Sequence, residues 1–278
     1  MTATVNDGTA TLLSRAYSVA NTHYGLILGT GVNASVHIPT SLSQSKLAGR
    51  TETGSHVITN CELSMFGGGL LPMTRWDEQL KSIHPLPDFQ PLEMLVSGRY
   101  LGEITRLVYV EAIEKHGFLN GYVPSVWAKP YSLDTEVMAD VHVAKPLSSI
   151  KDVLSTRYPS ESWDLTSQDL EVLQRVARVV AKRASALVAA SVYSLYAVRE
   201  ESTVGAGSKA NVACAGSIIQ HYPDFYKDTQ DMLRKLSKLN GQPEDSIELV
   251  IAVESSLLGA AVASAEVACA ARNKESQV

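Results

Sequence analysis

Four groups of residues in this 278-residue chain place an acid, an amide or a run of small residues beside an apolar segment. In Asn6-Asp7-Gly8-Thr9 a carboxylate stands on a tight turn ahead of a helical pattern. There it can take a proton from a hydroxyl, and it can equally serve as an Asx-turn or helix cap. In Gly29-Thr30-Gly31-Val32-Asn33 the glycines free backbone amides to approach a phosphate, and Thr30 adds a hydroxyl. An ordinary hairpin turn has the same composition. Asn60, Glu62 and Glu93 are polar residues among apolar neighbours. Fixed carboxylates and amides are what a site needs to hold sugar hydroxyls against water, whereas an isolated Glu is usually a surface residue. Ala215-Gly216-Ser217 and Glu254-Ser255-Ser256 each follow a buried apolar run. A nucleotide border and a plain β-to-α turn both fit those positions.

Such residues act only if elements hold them in place. A helix is expected over Thr9 to Ala20, after a loop that carries the Asn6-Asp7-Gly8 turn. Gly25 to Leu28 and Val32 to Ile38, joined by Gly29-Thr30-Gly31, read as a β-hairpin, and His56 to Glu62 as a third strand. Leu63 to Pro91 reads as loop with a short helix near Trp76 to Leu80, and Leu92 to Lys115 as one helix. Phe118 to Val143 is mixed, and Val143 to Tyr158 holds a short helix. Gln168 to Val198 is the longest helical pattern, opened by Thr166 and Ser167 as N-caps. Asn211 to Ile219 and Ser246 to Val253 read as buried strands. Pro223 to Leu239 is an amphipathic helix stopped at Asn240-Gly241, and Gly259 to Ala271 an Ala-rich helix before a polar, frayed tail over 272–278. A short antiparallel set followed by crossover units predicts one α/β sheet with helices on its faces.

Composition narrows the function. With 45% hydrophobic residues the chain can bury a sizeable core. The net charge is −5 and there is no Lys/Arg-rich run, which argues against nucleic acid as a partner. Ala184 to Val198, the most apolar stretch, is too short to span a bilayer. The N-terminus lacks the pattern of a signal peptide. Cys61, Cys214 and Cys269 lie far apart, without metal-ligand spacing, which suits a reducing cytoplasmic setting.

Taken in order, the motifs resemble the hexokinase family. The matching stretches are Val5-Asn-Asp-Gly-Thr-Ala-Thr-Leu-Leu13, Leu26-Ile-Leu-Gly-Thr-Gly-Val-Asn-Ala34, Asn60-Cys-Glu-Leu-Ser-Met-Phe66, Leu71-Pro-Met-Thr-Arg-Trp-Asp77 and Glu93-Met-Leu-Val-Ser-Gly-Arg-Tyr-Leu-Gly-Glu103. Gly216-Ser217 and Gly259-Ala-Ala261 complete them, and the segment from Ser97 to Glu103 is the most distinctive. The resemblance implies an actin-like ATPase, ribonuclease H-like domain, a mixed sheet flanked by helices, with residues 1–278 as the large C-terminal domain. It implies phosphorylation of a hexose such as glucose at its 6-hydroxyl by ATP, with Mg2+ carried on the nucleotide. Asp7 would then be the general base, and Asn6, Asn33, Glu62 and Glu93 would hold the sugar. Gly29, Thr30, Gly31, Arg99, Thr135, Gly216 and Ser217 would border the nucleotide. Phosphoryl transfer asks mainly for positioning and charge compensation, which such residues supply.

The departures from the family pattern are specific. Gly8 and Ala10 stand where the family has Thr and Gly, Leu63-Ser64 where it has Trp-Gly, and Met94 and Arg99 where it has lysines. Ala139 replaces a serine, Ala215 the Asp of an adenosine motif, and Leu257 a glycine. The family's first phosphate loop, Asp-Gly-Gly-Thr, and its small domain have no counterpart in the sequence. A catalytically inactive hexokinase-like regulator or sugar sensor is therefore the alternative to an enzyme whose closure is impaired.

Overall fold

The computed structural model describes residues 4–43, 56–201 and 209–275. Helix α1 (Asp7–Ala16) begins at the Asn6 turn, since the Asn6 side chain accepts the Gly8 amide and caps the helix. It stops four residues short of the expected end. Strands β1 (Thr22–Leu28) and β2 (Val32–Pro39) form the expected hairpin, and β3 (His56–Asn60) extends it on the far side of β2. No strand precedes α1 over residues 4–6, and Thr2 lies outside the described residues.

The helical middle differs from the sequence expectation in two places. After α2 (Arg75–Ile83), the single helix expected from Leu92 to Lys115 is two, α3 (Pro91–Val96) and α4 (Gly98–His116). Ser97 breaks them, with φ −88 and ψ 157, in extended geometry. The apolar spacing continues across the break through Leu95, Val96, Tyr100 and Leu101, all buried, and so conceals it. The stretch read as mixed ends in a true helix, α5 (Thr135–Val143), followed by α6 (Ser149–Arg157). The long helix α7 (Ser167–Glu201) starts as expected: Thr166 Oγ1 accepts the Asp169 amide, and Asp169 accepts the Thr166 amide in return.

The last third is a strand-helix alternation. β4 (Ala210–Ala215) ends at Gly216, so the apolar run to Ile219 is a strand followed by helix α8 (Ser217–His221), not one long strand. Helix α9 (Phe225–Leu239), strand β5 (Ile247–Ile251) and helix α10 (Ser255–Glu275) complete the chain. α10 continues through residues 272–275 of the stretch expected to fray; 276–278 lie outside the described residues.

The sheet order is β3-β2-β1-β4-β5. β1, β2 and β3 are antiparallel neighbours, and β4 and β5 join β1 in parallel. α1 lies directly on this sheet because Gly25 has no side chain; a Cβ there would sit 2.3 Å from the Gly8 carbonyl oxygen. α10 lies on α1 the same way, Gly259 meeting the Ala10 backbone. A buried ion pair fixes the approach to α5. Arg106 and Glu103, both on α4, bond at 2.6 Å; Arg106 also donates to the Trp127 carbonyl at 2.6 Å, and Glu103 accepts the Tyr131 amide. Among the described residues no helix is long and apolar enough to cross a membrane.

Candidate functional site

The sugar-side candidates gather at the ends of β2 and β3. The Asn33 side chain donates to Asn60 Oδ1 at 3.0 Å, while its own Oδ1 accepts the Ala34 and Leu63 amides at 2.7 and 3.2 Å. Asn60 Nδ2 in turn donates to Glu62 Oε1 at 2.7 Å. Asn33, Asn60 and Glu62 are therefore one oriented network, and the amide orientation of Asn33 follows from its two backbone donors. Glu62 holds a left-handed backbone, φ 49 and ψ 50, which turns the chain sharply into the buried Leu63-Ser64 pair. That pair, where the family has Trp-Gly, packs into the core.

Glu93 reaches the same region from α3. Its Oε2 accepts the Val32 amide at 3.0 Å. Gly31 makes room for it, because a Cβ there would lie 2.7 Å from that oxygen. Met94, beside it, is turned the other way and buried in the core at 3% exposure. The lysine-to-methionine departure thus belongs to packing, not to the open site. Asn6 and Asp7 stand exposed at the start of α1. The first turn of α1 lies over Ala34 and Ser35, next to Asn33 in β2, and Thr9 Oγ1 and Ser35 Oγ hydrogen-bond at 3.0 Å. Asp7 Oδ1 accepts the Gly8 amide at 2.8 Å.

The nucleotide-side candidates meet around a cavity of about 400 Å³. Thr30, Arg99, Thr135 and Ser217 all line it. They come from four separate elements: the β1–β2 turn, α4, α5 and α8. Gly29, Gly31 and Gly216 act from behind the wall. Gly29 lets Ser217 approach, a Cβ there lying 3.3 Å from the Ser217 amide, and Gly31 underlies Glu93. Gly216 has φ +115, and a Cβ on it would meet the Leu28 carbonyl oxygen at 2.3 Å. Only glycine satisfies both demands, so the ends of β1 and β4 touch there.

Four further lining residues were not singled out in the sequence: Glu136, Ile218, His221 and Tyr222. His221 stands four residues after Ser217, so a helical reading of that run would have put both on one face. Glu136 pairs with Arg157 at 2.8 Å. Ala139 also lines the cavity, offering a methyl group where the family has a hydroxyl. The two halves of the site share the β1–β2 turn: Thr30 faces the cavity and its neighbour Gly31 carries the Glu93 carboxylate. Among the described residues no group of three or more His, Cys, Asp or Glu side chains could hold a metal ion.

A mixed sheet flanked by helices, with glycine turns and a cavity at the ends of β1 and β4, places the chain in the α/β class of the actin-like ATPase fold. The glucose complex of hexokinase from Schistosoma mansoni superposes with a TM-score of 0.80 at 26% identity, covering 94% of this chain and 57% of that one. A second hexokinase crystal structure gives 0.76 at 28% identity, covering 94% and 54%. The Hexokinase family model matches residues 23–266, and the chain belongs to that family. Hexokinase-2 of Schizosaccharomyces pombe is 34% identical over 266 residues, which cover 94% of this chain and 55% of the relative. Hexokinase-1 of Saccharomyces cerevisiae is 29% identical, covering 95% and 54%. The chain spans about half the length of the curated relatives it matches.

Proposed function

We propose that this chain is the large-domain part of an ATP-dependent hexose kinase, acting in the cytoplasm on glucose or a related hexose. The shared β1–β2 turn carries the reading, since it sets a sugar-type carboxylate, Glu93, one residue from a cavity wall, Thr30. Asn6, Asn33, Glu62 and Glu93 hold the sugar hydroxyls in this reading. Asp7, at the exposed start of α1, takes the proton from the 6-hydroxyl as that oxygen attacks the terminal phosphate. Thr30 and the Arg99 guanidinium face the phosphates, with Gly29 and Gly31 shaping the turn. Thr135, Gly216 and Ser217 border the rest of the nucleotide. Magnesium would arrive with the phosphates of the nucleotide in this reading. Three free cysteines, Cys61, Cys214 and Cys269, accord with a reducing compartment.

A second reading, a sugar-binding regulator without turnover, is favoured by the methyl of Ala139 on the cavity wall. Calorimetric titration with glucose and a coupled assay for glucose-dependent ADP release separate the two. Asp7→Asn should keep glucose affinity within about twofold and abolish turnover. Glucose binding lost on Glu93→Gln, with no turnover in the unaltered chain, selects the regulator. Absence of glucose binding by the unaltered chain sinks both readings.

A further inference from the structure

Thr135 lines the nucleotide cavity, yet its hydroxyl is engaged elsewhere. The single hydroxyl proton goes to the Gly98 carbonyl at 2.6 Å, and the oxygen accepts the Gly102 amide at 2.9 Å. Gly98 and Gly102 are the carbonyl and amide that an α-helix joins to each other across one turn. A hydroxyl from α5 thus bridges the first turn of α4. The approach needs Gly102: a Cβ there would lie 2.0 Å from the Leu133 carbonyl oxygen and 2.9 Å from the Thr135 amide. Arg99 lies inside the bridged turn, whose other end is tied to the β1–β2 turn by the Gly98 amide donating to the Gly29 carbonyl at 2.8 Å. The buried Glu103–Arg106 pair holds the chain that leads Thr135 in.

We infer that Thr135 is a positioning residue for Arg99 rather than a hydrogen-bond donor to the nucleotide. The inference rests on reading the cavity as the nucleotide site. A proton given to Gly98 cannot also go to a phosphate, and the lone pair left on the oxygen is an acceptor that phosphate oxygens cannot use. Without the hydroxyl, the Gly102 amide and the Gly98 carbonyl turn to each other, the turn tightens, and the guanidinium carried between them moves off the phosphate line.

The test is a double-mutant cycle read as ADP affinity by calorimetry on the full chain, with melting temperatures to verify folding. Thr135→Val should weaken ADP binding about tenfold and Thr135→Ser should restore it. In an Arg99→Ala background, Thr135→Val should add less than about twofold, because its effect passes through Arg99. An equal loss in both backgrounds means direct contact and overturns the inference, as does a Val variant that binds ADP like the unaltered chain. Should the Val variant not fold, Thr135→Ala takes its place in the same cycle and is read for the same two outcomes. Failure of the unaltered chain to bind ADP sinks the nucleotide reading together with the inference, whereas ADP binding indifferent to Thr135→Val sinks the inference alone.

Discussion

The Glu93 carboxylate occupies space that any side chain on Gly31 would need: its Oε2 lies 2.7 Å from where a Cβ would stand and accepts the neighbouring Val32 amide at 3.0 Å. One missing side chain therefore fixes the direction of one carboxylate. Gly31→Ala should leave the fold in place, because the displaced atom is the mobile end of Glu93. The carboxylate loses its amide anchor, and a charge-assisted bond of about 1.5–3 kcal/mol goes with it. Glucose affinity measured by calorimetry should fall about tenfold, with the melting temperature nearly unchanged.

Gly216→Ala should behave in the opposite way. Its φ of +115 disfavours any side chain, and the atom that a Cβ would meet, the Leu28 carbonyl oxygen at 2.3 Å, is backbone that cannot swing aside. The loss should be about 2 kcal/mol or more, read as a lower urea midpoint. A variant as stable as the parent would show that the β1 and β4 ends can part freely.

Asp77 carries both a helix start and a buried charge. It accepts Arg183 at 2.6 and 2.8 Å and closes a capping box with Thr74, and its side chain is fully buried. Asp77→Ala leaves the Arg183 guanidinium without its partner and α2 without its cap. A loss of about 3–5 kcal/mol is expected in denaturant unfolding. Replacement by Asn, which keeps the volume but not the charge, should recover only part of it.

The acid limb of the stability curve should report His23. His23, His37 and His56 lie side by side across β1, β2 and β3, with ring centroids 6.0 and 5.1 Å apart. Burial, then the Arg199 charge and the two other rings, pull the His23 pKa from 6.5 down to about 4; burial also lowers His37. In the unfolded chain His23 takes its proton near 6.5, and in the folded protein only near 4. Between those values the unfolded state binds the proton and the folded state does not. The contribution is therefore complete above about pH 6.5 and is lost as pH falls toward 4. His23→Gln should flatten the fall of melting temperature across that window. An acid limb of unchanged slope would assign the loss to other groups.

The hairpin was legible because alternation and Gly29-Thr30-Gly31 say the same thing, and the structure pairs Leu28 with Val32 as that reading requires. Asn60, Glu62 and Glu93 were legible as candidates because polar residues among apolar ones need a reason, whereas Asn33 was named as a sugar ligand only through the family resemblance. What the sequence left hidden is the break at Ser97, since the residues on both sides face one core and their apolar spacing runs straight through. Helix α5 was hidden by its own composition, Thr-Glu-Val-Met-Ala-Asp-Val-His-Val, where three β-branched valines and two acids blur the helical stripe. The cavity-facing His221 was hidden because the strand expected to end at Ile219 left it in a connection, whereas the helix that starts at Ser217 carries it to the cavity wall.

The Glu103–Arg106 pair also bears on how the protein meets its ionic surroundings. With side-chain exposures of 0% and 6%, the pair lies beyond the reach of dissolved ions. Added salt screens outer pairs such as Lys81–Asp88 and Arg157–Glu136 over a Debye length of roughly 10 Å or less, but it does not enter here. The chain between Trp127 and Tyr131 is thus fastened to α4 by an attraction that ionic strength leaves alone.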